Sequence, residues 1–411
     1  LVSRCREHDI YFTPKDLFQN PTIAKLSLID LKGSVVEAEQ GLVKGNAPLI
    51  PIQQWFFEEH YTYQNHWNQA QLLQVNESLD IKVLEKAIAT LIHHHDGLRL
   101  RYKQKTNESY QQYYDNQPSA MALKIKKINL SKINSDKQAT HITEHCSKLQ
   151  GGLDITNGPV IAVAVFTGLS DGNDHLFIAI HHLMVDGVSW RVIIPDLQSC
   201  YEQIKSGVEV KLSPKTSSFQ RWGQALKTYT HEKASDELDY WLDVVDHIKP
   251  LTLDNDIKQD YATKMDGLHL SLDMHLTDAL LNKTQQAYNT EINDLLLSAF
   301  SLALAKWQHT EAVCFNLEGH GREEVVSNVD VTRTVGWFTS VFPVVLKLPC
   351  LADQNELSEE DVKACIQSIK EQLRHIPDKG LSFGALKYAH KDKKVSAKLA
   401  KGSTSKISFN Y

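Results

Sequence analysis

Two adjacent histidines, His181 and His182, are the residues of this chain best placed to do chemistry. They follow an apolar run at 175–180 that is typical of a core strand, and a helical pattern runs from Val188 to about Lys205. A strand end holds a side chain rigidly, and an imidazole with an unperturbed pKa of about 6.5 can take or give a proton near neutral pH. The pattern therefore predicts an acid/base histidine in the turn between a strand and a helix.

Two residues of that turn, Asp186 and Gly187, are predicted to shape it. Gly187 would permit a sharp reversal into the helix, and Asp186 is close enough along the chain to brace the loop by an ion pair or by backbone hydrogen bonds. Two other interpretations of His181 and His182 stay open: ordinary hydrogen-bonded core residues, or metal ligands. The sequence contains no HExxH and no CxxC motif, so we predict no metal site.

A second candidate site follows a predicted strand at 312–317. The run LEGHGRE at 317–323 has two glycines beside a histidine, which let the backbone approach a ligand, and Glu318 sits where the strand releases the chain. This arrangement is typical of an active-site loop. The alternative is a surface turn on which Glu318 simply pairs with Arg322.

Two further runs are predicted to be structural. TRTVGWFT at 332–339 is typical of a packed crossing between strand and loop, with Arg333 as the buried counter-ion of Asp186. HHHDG at 93–97 looks like a shortened copy of the first motif, but it closes a predicted amphipathic helix at 81–94. Histidines in the last turn of a helix interact favourably with the helix dipole, so no chemistry is expected there.

Composition excludes several classes of protein. The 411 residues are 42% hydrophobic and 23% charged, with a formal charge of −6 and six cysteines. An acidic chain without Lys/Arg clusters argues against nucleic acid as a partner. The cysteines form no paired motif, which indicates reduced thiols in the cytoplasm. The longest central apolar run, 160–166, is far too short to span a membrane, so no membrane association is expected.

The chain is predicted to have four parts in a mixed α/β protein. Residues 1–30 are too few to fold alone and are interpreted as the end of another domain, and the Gly-rich, polar residues 31–47 as a linker. Helical and strand-like patterns then alternate through an N-terminal lobe at 48–225 and a C-terminal lobe at 226–411. The lysine-rich stretch from 387 to 406 is interpreted as a solvated surface segment.

Five motifs in order resemble those of one known family. PIQQWFF at 51–57, HHLMVDGVSW at 181–190, EGHGRE at 318–323, DVTRTVGWFTSVFP at 330–343 and ISFNY at 407–411 are similar to the motif series of epimerization domains of nonribosomal peptide synthetases. The resemblance implies two lobes like chloramphenicol acetyltransferase, in a V-shaped pseudo-dimer with the active site in the tunnel between them. FTPKDLFQNPTIAKLS, in residues 1–30, resembles the last helices of a peptidyl carrier domain.

The resemblance also implies roles for single residues. His182 and Glu318 would be the two acid/base groups that invert an α-carbon, one from each lobe. His181, Asn410 and Tyr411 would line or polarise the site, with His181 the most structural of the three. Asp186, Gly187, Arg322 and Arg333 would be its structural support.

The expected substrate is an aminoacyl or peptidyl thioester on the 4'-phosphopantetheine arm of a carrier domain, and the expected domain itself binds no cofactor. The implied partners are the upstream peptidyl carrier domain in cis and neighbouring adenylation and condensation domains or synthetase subunits. Because the family continues beyond its ISFNY motif, we expect the C-terminal lobe to be truncated at Tyr411. Two alternatives stay open: a condensation-type acyltransferase that forms a peptide bond, and an inactive module that docks carrier domains.

Overall fold

The computed structural model describes most of the chain from residue 38 onwards. The described residues are 38–106, 109–116, 123–249, 251–252, 267–284, 289–326, 328–349, 357–401, 405 and 407–411, with 5, 10, 12, 16, 17, 20 and 22–28 near the N-terminus. The predicted carrier helices and linker fall largely outside these residues and stay predictions.

The helices and strands alternate along the chain, as expected for a mixed α/β protein. In the described part, the strands are β1 Asn46–Ala47, β2 Asn68–Val75, β3 Leu100–Thr106, β4 Ser109–Tyr114, β5 Lys126–Asn129, β6 Ile161–Thr167, β7 Asp174–His181, β8 Ala312–Gly319, β9 Ser340–Lys347 and β10 Ser408–Phe409. The α-helices there are α1 Ile23–Leu26, α2 Pro51–Glu58, α3 Ile81–His94, α4 Ser135–Gln150, α5 Gly187–Lys205, α6 Phe219–Glu232, α7 Leu238–Asp246, α8 Met274–Asp278, α9 Ile292–Gln308, α10 Glu359–Arg374, α11 Leu381–Ala389 and α12 Lys393–Ala400.

These elements group into two compact units. Unit 1 comprises Leu1–Tyr229 and Glu324–Thr339, and unit 2 comprises Thr230–Glu323 and Ser340–Tyr411. The division at 229/230 lies near the lobe boundary that the sequence suggests. The segment Glu324–Thr339 differs from that expectation, because it packs with unit 1 although the sequence places it in the C-terminal lobe.

Unit 1 is built on a four-stranded sheet in the order β2-β7-β6-β5. β7 pairs antiparallel with both β2 and β6, and β5 runs parallel to β6. Continuous apolar sequence in β6 and β7 matches their burial on both faces. One face of the sheet carries a fully buried cluster of Leu130, Ala164, Phe166, Phe177 and Ala179, against which Ile142, Cys146 and Leu149 of α4 pack. A second, antiparallel sheet has the order β1-β4-β3.

Unit 2 contains a three-stranded sheet in the order β10-β8-β9. β8 and β9 form an antiparallel pair, and β10 lies parallel to β8 on its other side. α9 and α10 begin with capping boxes at Glu291 and Ser358, where side chains satisfy the free N–H groups of the first turn. The buried indole of Trp241 donates to the Ser382 hydroxyl at 2.8 Å and ties α7 to α11.

Two sequence interpretations about surface and membrane can be compared with the structure. The lysine-rich stretch is not simply a solvated segment, because it contains the end of α11 and all of α12, with Lys387 only 8% exposed and Leu399 fully buried. No helix in the described part of the chain is both long and apolar enough to cross a membrane.

Candidate active site

His181 ends β7, and His182 begins the short 3-10 turn His182–Met184 that follows it. Two backbone hydrogen bonds fix this point of the chain: His181 N–H donates to Val160 O at 2.9 Å, and His182 N–H donates to Trp67 O at 2.8 Å. The turn is thus anchored to the strand on each side of β7. Mounting of the histidine pair at a strand end, as the sequence predicts, is confirmed.

His181 is fully buried, and both ring nitrogens contact the backbone. Its Nε2 donates to the carbonyl of Gln64 at 2.8 Å, and its Nδ1 accepts from the N–H of Leu183 at 3.2 Å. Burial lowers the pKa of His181 to about 4, and the positive charge of neighbouring His182 would lower it further. His181 is therefore neutral at physiological pH and holds the turn together.

His182 is partly exposed and has a defined tautomer. Its Nδ1 lies 2.8 Å from the carbonyl of Val185, which can only accept, so Nδ1 carries the hydrogen and Nε2 carries the lone pair. The ring lies 4.3 Å from that of Trp337 and 6.4 Å from that of Trp67, centroid to centroid. Burial lowers the pKa of His182, against the opposing effects of the Val185 carbonyl and the Asp186 carboxylate. The free imidazole is the favoured form, as a base requires.

Asp186 is buried and serves as the N-cap of α5. Its Oδ1 accepts from the N–H and hydroxyl of Ser189, both at 2.7 Å, and its Oδ2 accepts from the N–H of Phe338 at 3.2 Å. The Ser189 hydroxyl also accepts from Gly336 N–H at 3.2 Å. Asp186 thus joins the histidine turn to the 332–339 segment by hydrogen bonds, as one of its two expected bracing modes proposes.

The expected pairing of Asp186 with Arg333 is wrong. Arg333 Nη2 lies 2.7 and 2.8 Å from the two carboxylate oxygens of Asp196 on α5. His95, at the end of α3, contacts the same carboxylate through Nε2 at 2.8 Å. The counter-ion of Arg333 is therefore one of the two α5 aspartates, but the one in the helix interior and not the cap.

The expected role of Gly187 is also not supported. Gly187 is the first residue of α5 and is absent from the glycines with positive φ, and an added Cβ would meet no atom within 4 Å. The reversal is made instead by the 3-10 turn and the Asp186 cap. Glycine is required at two other places: a Cβ on Gly97 would lie 2.2 Å from Val335 O, and one on Gly336 would lie 2.5 Å from the Phe219 ring.

One cluster in the described residues has the atoms to ligate a metal: His94, His95 and Asp196, whose ligand atoms lie within 4.8 Å of one another. Burial, assisted by neighbouring His95, lowers the pKa of His94 to about 4, which keeps it neutral. However, Arg333 and His95 already bind the carboxylate of Asp196, and a guanidinium beside it opposes a second cation. The arrangement fits a buried ion-pair network, in agreement with the structural role predicted for this motif.

Glu318 lies near the end of β8 in unit 2, and the C-terminal ISFNY run lies beside it. Its Oε1 accepts from the Ser408 hydroxyl at 3.1 Å, and its Oε2 accepts from the Asn410 side-chain amide at 2.9 Å. Parallel pairing of β10 with β8 creates this contact, because Phe409 is level with Leu317. The expected association of Glu318 with Asn410 is thus present, while Tyr411 is 68% exposed.

The loop after Glu318 is held by its own charged groups. His320 Nδ1 accepts from Arg322 N–H at 3.0 Å, and His320 Nε2 lies 3.2 Å from Glu323. Glu323 also pairs with Lys379 at 3.5 Å. The alternative of a Glu318–Arg322 surface pair is not observed, since Ser408 and Asn410 are the partners of Glu318.

Comparison with known proteins places the chain. The condensation domain family matches residues 43–410. The chain belongs to the condensation domain family.

Solved members of this family share its fold. The structure resembles the crystal structure of the epimerization domain from the third module of tyrocidine synthetase B, with a TM-score of 0.78, 35% identity, and coverage of 87% of this chain and 77% of that one. The first condensation domain of the calcium-dependent antibiotic synthetase matches at 15% identity and a TM-score of 0.63, over 82% and 74% of the two chains. The predicted two-lobed α/β fold class is confirmed.

The curated relatives of this condensation-family chain are large synthases. It is 40% identical to one of the linear gramicidin synthase proteins of Brevibacillus parabrevis and 36% identical to surfactin synthase subunit 2 of Bacillus subtilis (strain 168), in both cases over 100% of this chain. The chain spans only 8% and 11% of the lengths of those synthases. The similarity is thus to one domain-sized part of nonribosomal peptide synthetase subunits.

The structure adds two residues to the surroundings of His182 that the sequence interpretation missed. Gln69 places its side-chain amide nitrogen 3.1 Å from His182 Nε2. Trp67 has a buried indole N–H without a hydrogen-bond partner among the described residues. Both lie in or just before β2, and only the antiparallel register of β2 with β7 brings them to the histidine turn.

Proposed function

We propose that this condensation-family domain is an epimerase. It inverts the α-carbon, from L to D, of an aminoacyl or peptidyl thioester carried on the 4'-phosphopantetheine arm of a carrier domain. The observation that carries the proposal is the set of contacts of Glu318: a carboxylate at a strand end, with both oxygens bound by the C-terminal ISFNY run. A second carboxylic acid/base is what epimerization requires and peptide-bond formation does not.

Sequence similarity supports the same choice. The chain is 35% identical to a solved epimerization domain, whereas its likeness to a solved condensation domain at 15% identity indicates the fold alone. The motifs EGHGRE and ISFNY, which supply Glu318 and its partners, belong to the part of the sequence that resembles epimerization domains.

His182 supplies the first acid/base group in this proposal. Its Nε2 lone pair is fixed by the bond from Nδ1 to Val185, and burial lowers its pKa, so it is free to accept a proton at neutral pH. The α-proton of the thioester passes to Nε2, and the electron pair moves into the carbonyl to give an enolate. The thioester carbonyl acidifies the α-carbon, so we propose that no bound cofactor takes part.

Glu318 supplies the second group. When protonated, it returns a proton to the opposite face of the α-carbon, which leaves His182 protonated and Glu318 ionised, and exchange with solvent restores both. The enolate oxygen also needs a donor. His181 cannot provide one while its ring nitrogens bind Gln64 and Leu183, so we propose the unpartnered indole N–H of Trp67 as the donor.

A deuterium experiment tests this function. The chain is incubated in D₂O with a panel of L-aminoacyl and dipeptidyl phosphopantetheine thioesters, and the products are hydrolysed and resolved by chiral chromatography and mass spectrometry. We expect D-configured product carrying α-deuterium. His182→Ala should lower that rate by about 10²–10⁴-fold, the usual effect of a positioned acid/base group, while His231→Ala on the exposed face of α6 should not.

The family match also leaves a condensation-type acyltransferase as the second candidate. In that case His182 would position an amine nucleophile, and peptide bonds would form between two carrier-bound substrates without α-deuteration. Neither peptide bonds nor α-deuterium would indicate the third alternative, a domain that only docks carrier domains. The partners proposed here are the upstream peptidyl carrier domain and the neighbouring adenylation and condensation domains.

A further inference from the structure

Gln69 connects His182 to the helix that follows the histidine turn. It lies on β2 opposite Ile180 of β7, so its side chain is beside the end of the strand that carries the histidines. Its carboxamide oxygen accepts from the indole N–H of Trp190 on α5 at 2.9 Å, and its amide nitrogen lies 3.1 Å from His182 Nε2. Gln69 thus bridges two residues of the HHLMVDGVSW motif without belonging to any motif itself.

The orientation of the Gln69 amide is determined by chemistry. The indole N–H of Trp190 can only donate, so the oxygen of Gln69 must face it and the NH₂ group must face His182. The carbonyl of Val185 can only accept, so it requires the hydrogen of His182 on Nδ1. The two constraints agree: Nε2 has a lone pair, and Gln69 donates to it.

We infer that Gln69, oriented by Trp190, is a positioning residue that holds His182 as the neutral imidazole with its lone pair on Nε2. The inference rests on the proposed function only for its catalytic meaning, because the protonation state can be measured without substrate. Gln69 keeps the resting site in the form that can accept a proton, and it aims the Nε2 atom.

Protonation of His182 at Nε2 would place its N–H against the NH₂ of Gln69, two donors facing each other. Rotation of the amide would relieve that contact but would turn the NH₂ group towards the indole N–H of Trp190. One donor–donor contact remains in either orientation, so the arrangement opposes the imidazolium. The proton taken from a substrate is therefore held weakly and is released readily.

Other ionisable groups near His182 do not produce the same bias. The carboxylate of Asp186 favours the charged imidazole and raises its pKa, whereas burial lowers it. The neighbouring His181 is neutral, with its two nitrogens bound to the backbone. The packed rings of Trp67 and Trp337 carry no charge. Gln69 is the group that contacts Nε2 itself.

The test is an NMR titration of the full chain labelled with ¹⁵N-histidine. In the parent protein we expect His182 to show a protonated Nδ1 and an unprotonated Nε2 near pH 7. In Gln69→Glu, a carboxylate would accept from both Trp190 and the imidazolium, and the pKa of His182 should rise by about 1–3 units. In Gln69→Leu the Nδ1–H tautomer should lose its preference over Nε2–H. Gln74→Glu, an exposed change on the same strand, adds the same charge and should leave the titration unchanged.

The outcomes separate this inference from the proposed function. A parent His182 with the proton on Nε2, or a Gln69→Glu protein whose His182 titrates like the parent, would overturn the inference even if epimerization is observed. If Gln69→Glu does not fold, Trp190→Phe provides the second variant, because it frees the amide to rotate, and His182 should then titrate at higher pH. Absence of α-deuteration with the expected titrations would contradict the proposed function and leave the inference standing.

Discussion

Arg333 and Asp196 form a buried ion pair in which one guanidinium nitrogen contacts both carboxylate oxygens, at 2.7 and 2.8 Å. Asp196 lies in α5, the helix whose N-cap is Asp186, and Phe338 N–H bonds to that cap. The 332–339 segment is therefore fastened to α5 at two places, one near each of its ends. Between them lies Trp337, which packs on the ring of His182.

Removal of the Arg333 charge should destabilise unit 1. Arg333→Met keeps the length of the side chain but leaves Asp196 without its guanidinium, and breaking a buried pair typically costs about 3–5 kcal/mol. Urea unfolding followed by tryptophan fluorescence measures the loss. Arg191→Met, an exposed position on the same helix, is the matched control and should stay within about 0.5 kcal/mol of the parent. Equal urea midpoints for the two variants would show that the pair is not important for stability.

Asp186 should also prove structural, for a different reason than its charge. Asp186→Ala removes an N-cap and three hydrogen bonds to Ser189 and Phe338, for an expected loss of about 2–4 kcal/mol. Asp186→Asn keeps one cap acceptor and should lose less. Asp136→Ala, at an exposed first turn of α4, is the control. An Asp186→Ala protein that is as stable as the parent yet inactive would instead place Asp186 on the substrate.

Local sequence patterns predicted the elements around the site well. The helix expected at 81–94 is α3, Ile81–His94, and the apolar run at 175–180 lies inside β7. Periodicity is sufficient for such elements because each buries one face or both. The partner of Arg333 could not be predicted the same way. Asp186 and Asp196 both follow the histidine motif, and only the packed position of 332–339 decides which of them the guanidinium reaches.

The link between Gln69 and His182 was hidden for a related reason. Nothing in the sequence shows that β2 pairs with β7, or that Gln69 is level with Ile180 in that pairing. A polar residue beside alternating partly buried neighbours in a strand is ordinary for a sheet edge. By contrast, the association of Glu318 with Asn410 was anticipated, because the family resemblance placed EGHGRE and ISFNY in one site.

Stability should fall between about pH 6.5 and pH 4. Burial lowers the pKa of His181 to about 4, so the unfolded chain binds a proton near pH 6.5 that the folded protein does not. The stabilisation is complete above pH 6.5 and is lost as the pH falls towards 4, up to about 3 kcal/mol for a group of this shift. Urea midpoints at pH 7, 6, 5 and 4 measure the slope. His181→Gln, which keeps a donor and an acceptor, should flatten it, and His231→Gln should not. A His181→Gln slope as steep as the parent's would assign the loss to other groups.

The change Glu318→Gln separates epimerization from condensation most sharply. The amide keeps the size of the side chain, and the Ser408 hydroxyl can turn to accept from it while Asn410 still donates to the remaining oxygen. Proton transfer from that side is lost. With His182 intact, a thioester of one configuration should still exchange its α-hydrogen with D₂O, while inversion falls by about 10²–10⁴-fold. Both L and D thioesters are tested, because only one of them presents its α-hydrogen to His182.

Glu323→Gln is the matched control for that experiment. It removes a carboxylate from the same loop, where Glu323 pairs with His320 and Lys379, and it should leave inversion near the parent rate. One-sided exchange in Glu318→Gln together with normal inversion in Glu323→Gln would assign the second proton transfer to Glu318. Equal inversion in Glu318→Gln and the parent would contradict the assignment, because His182 would then work alone or with a group other than Glu318.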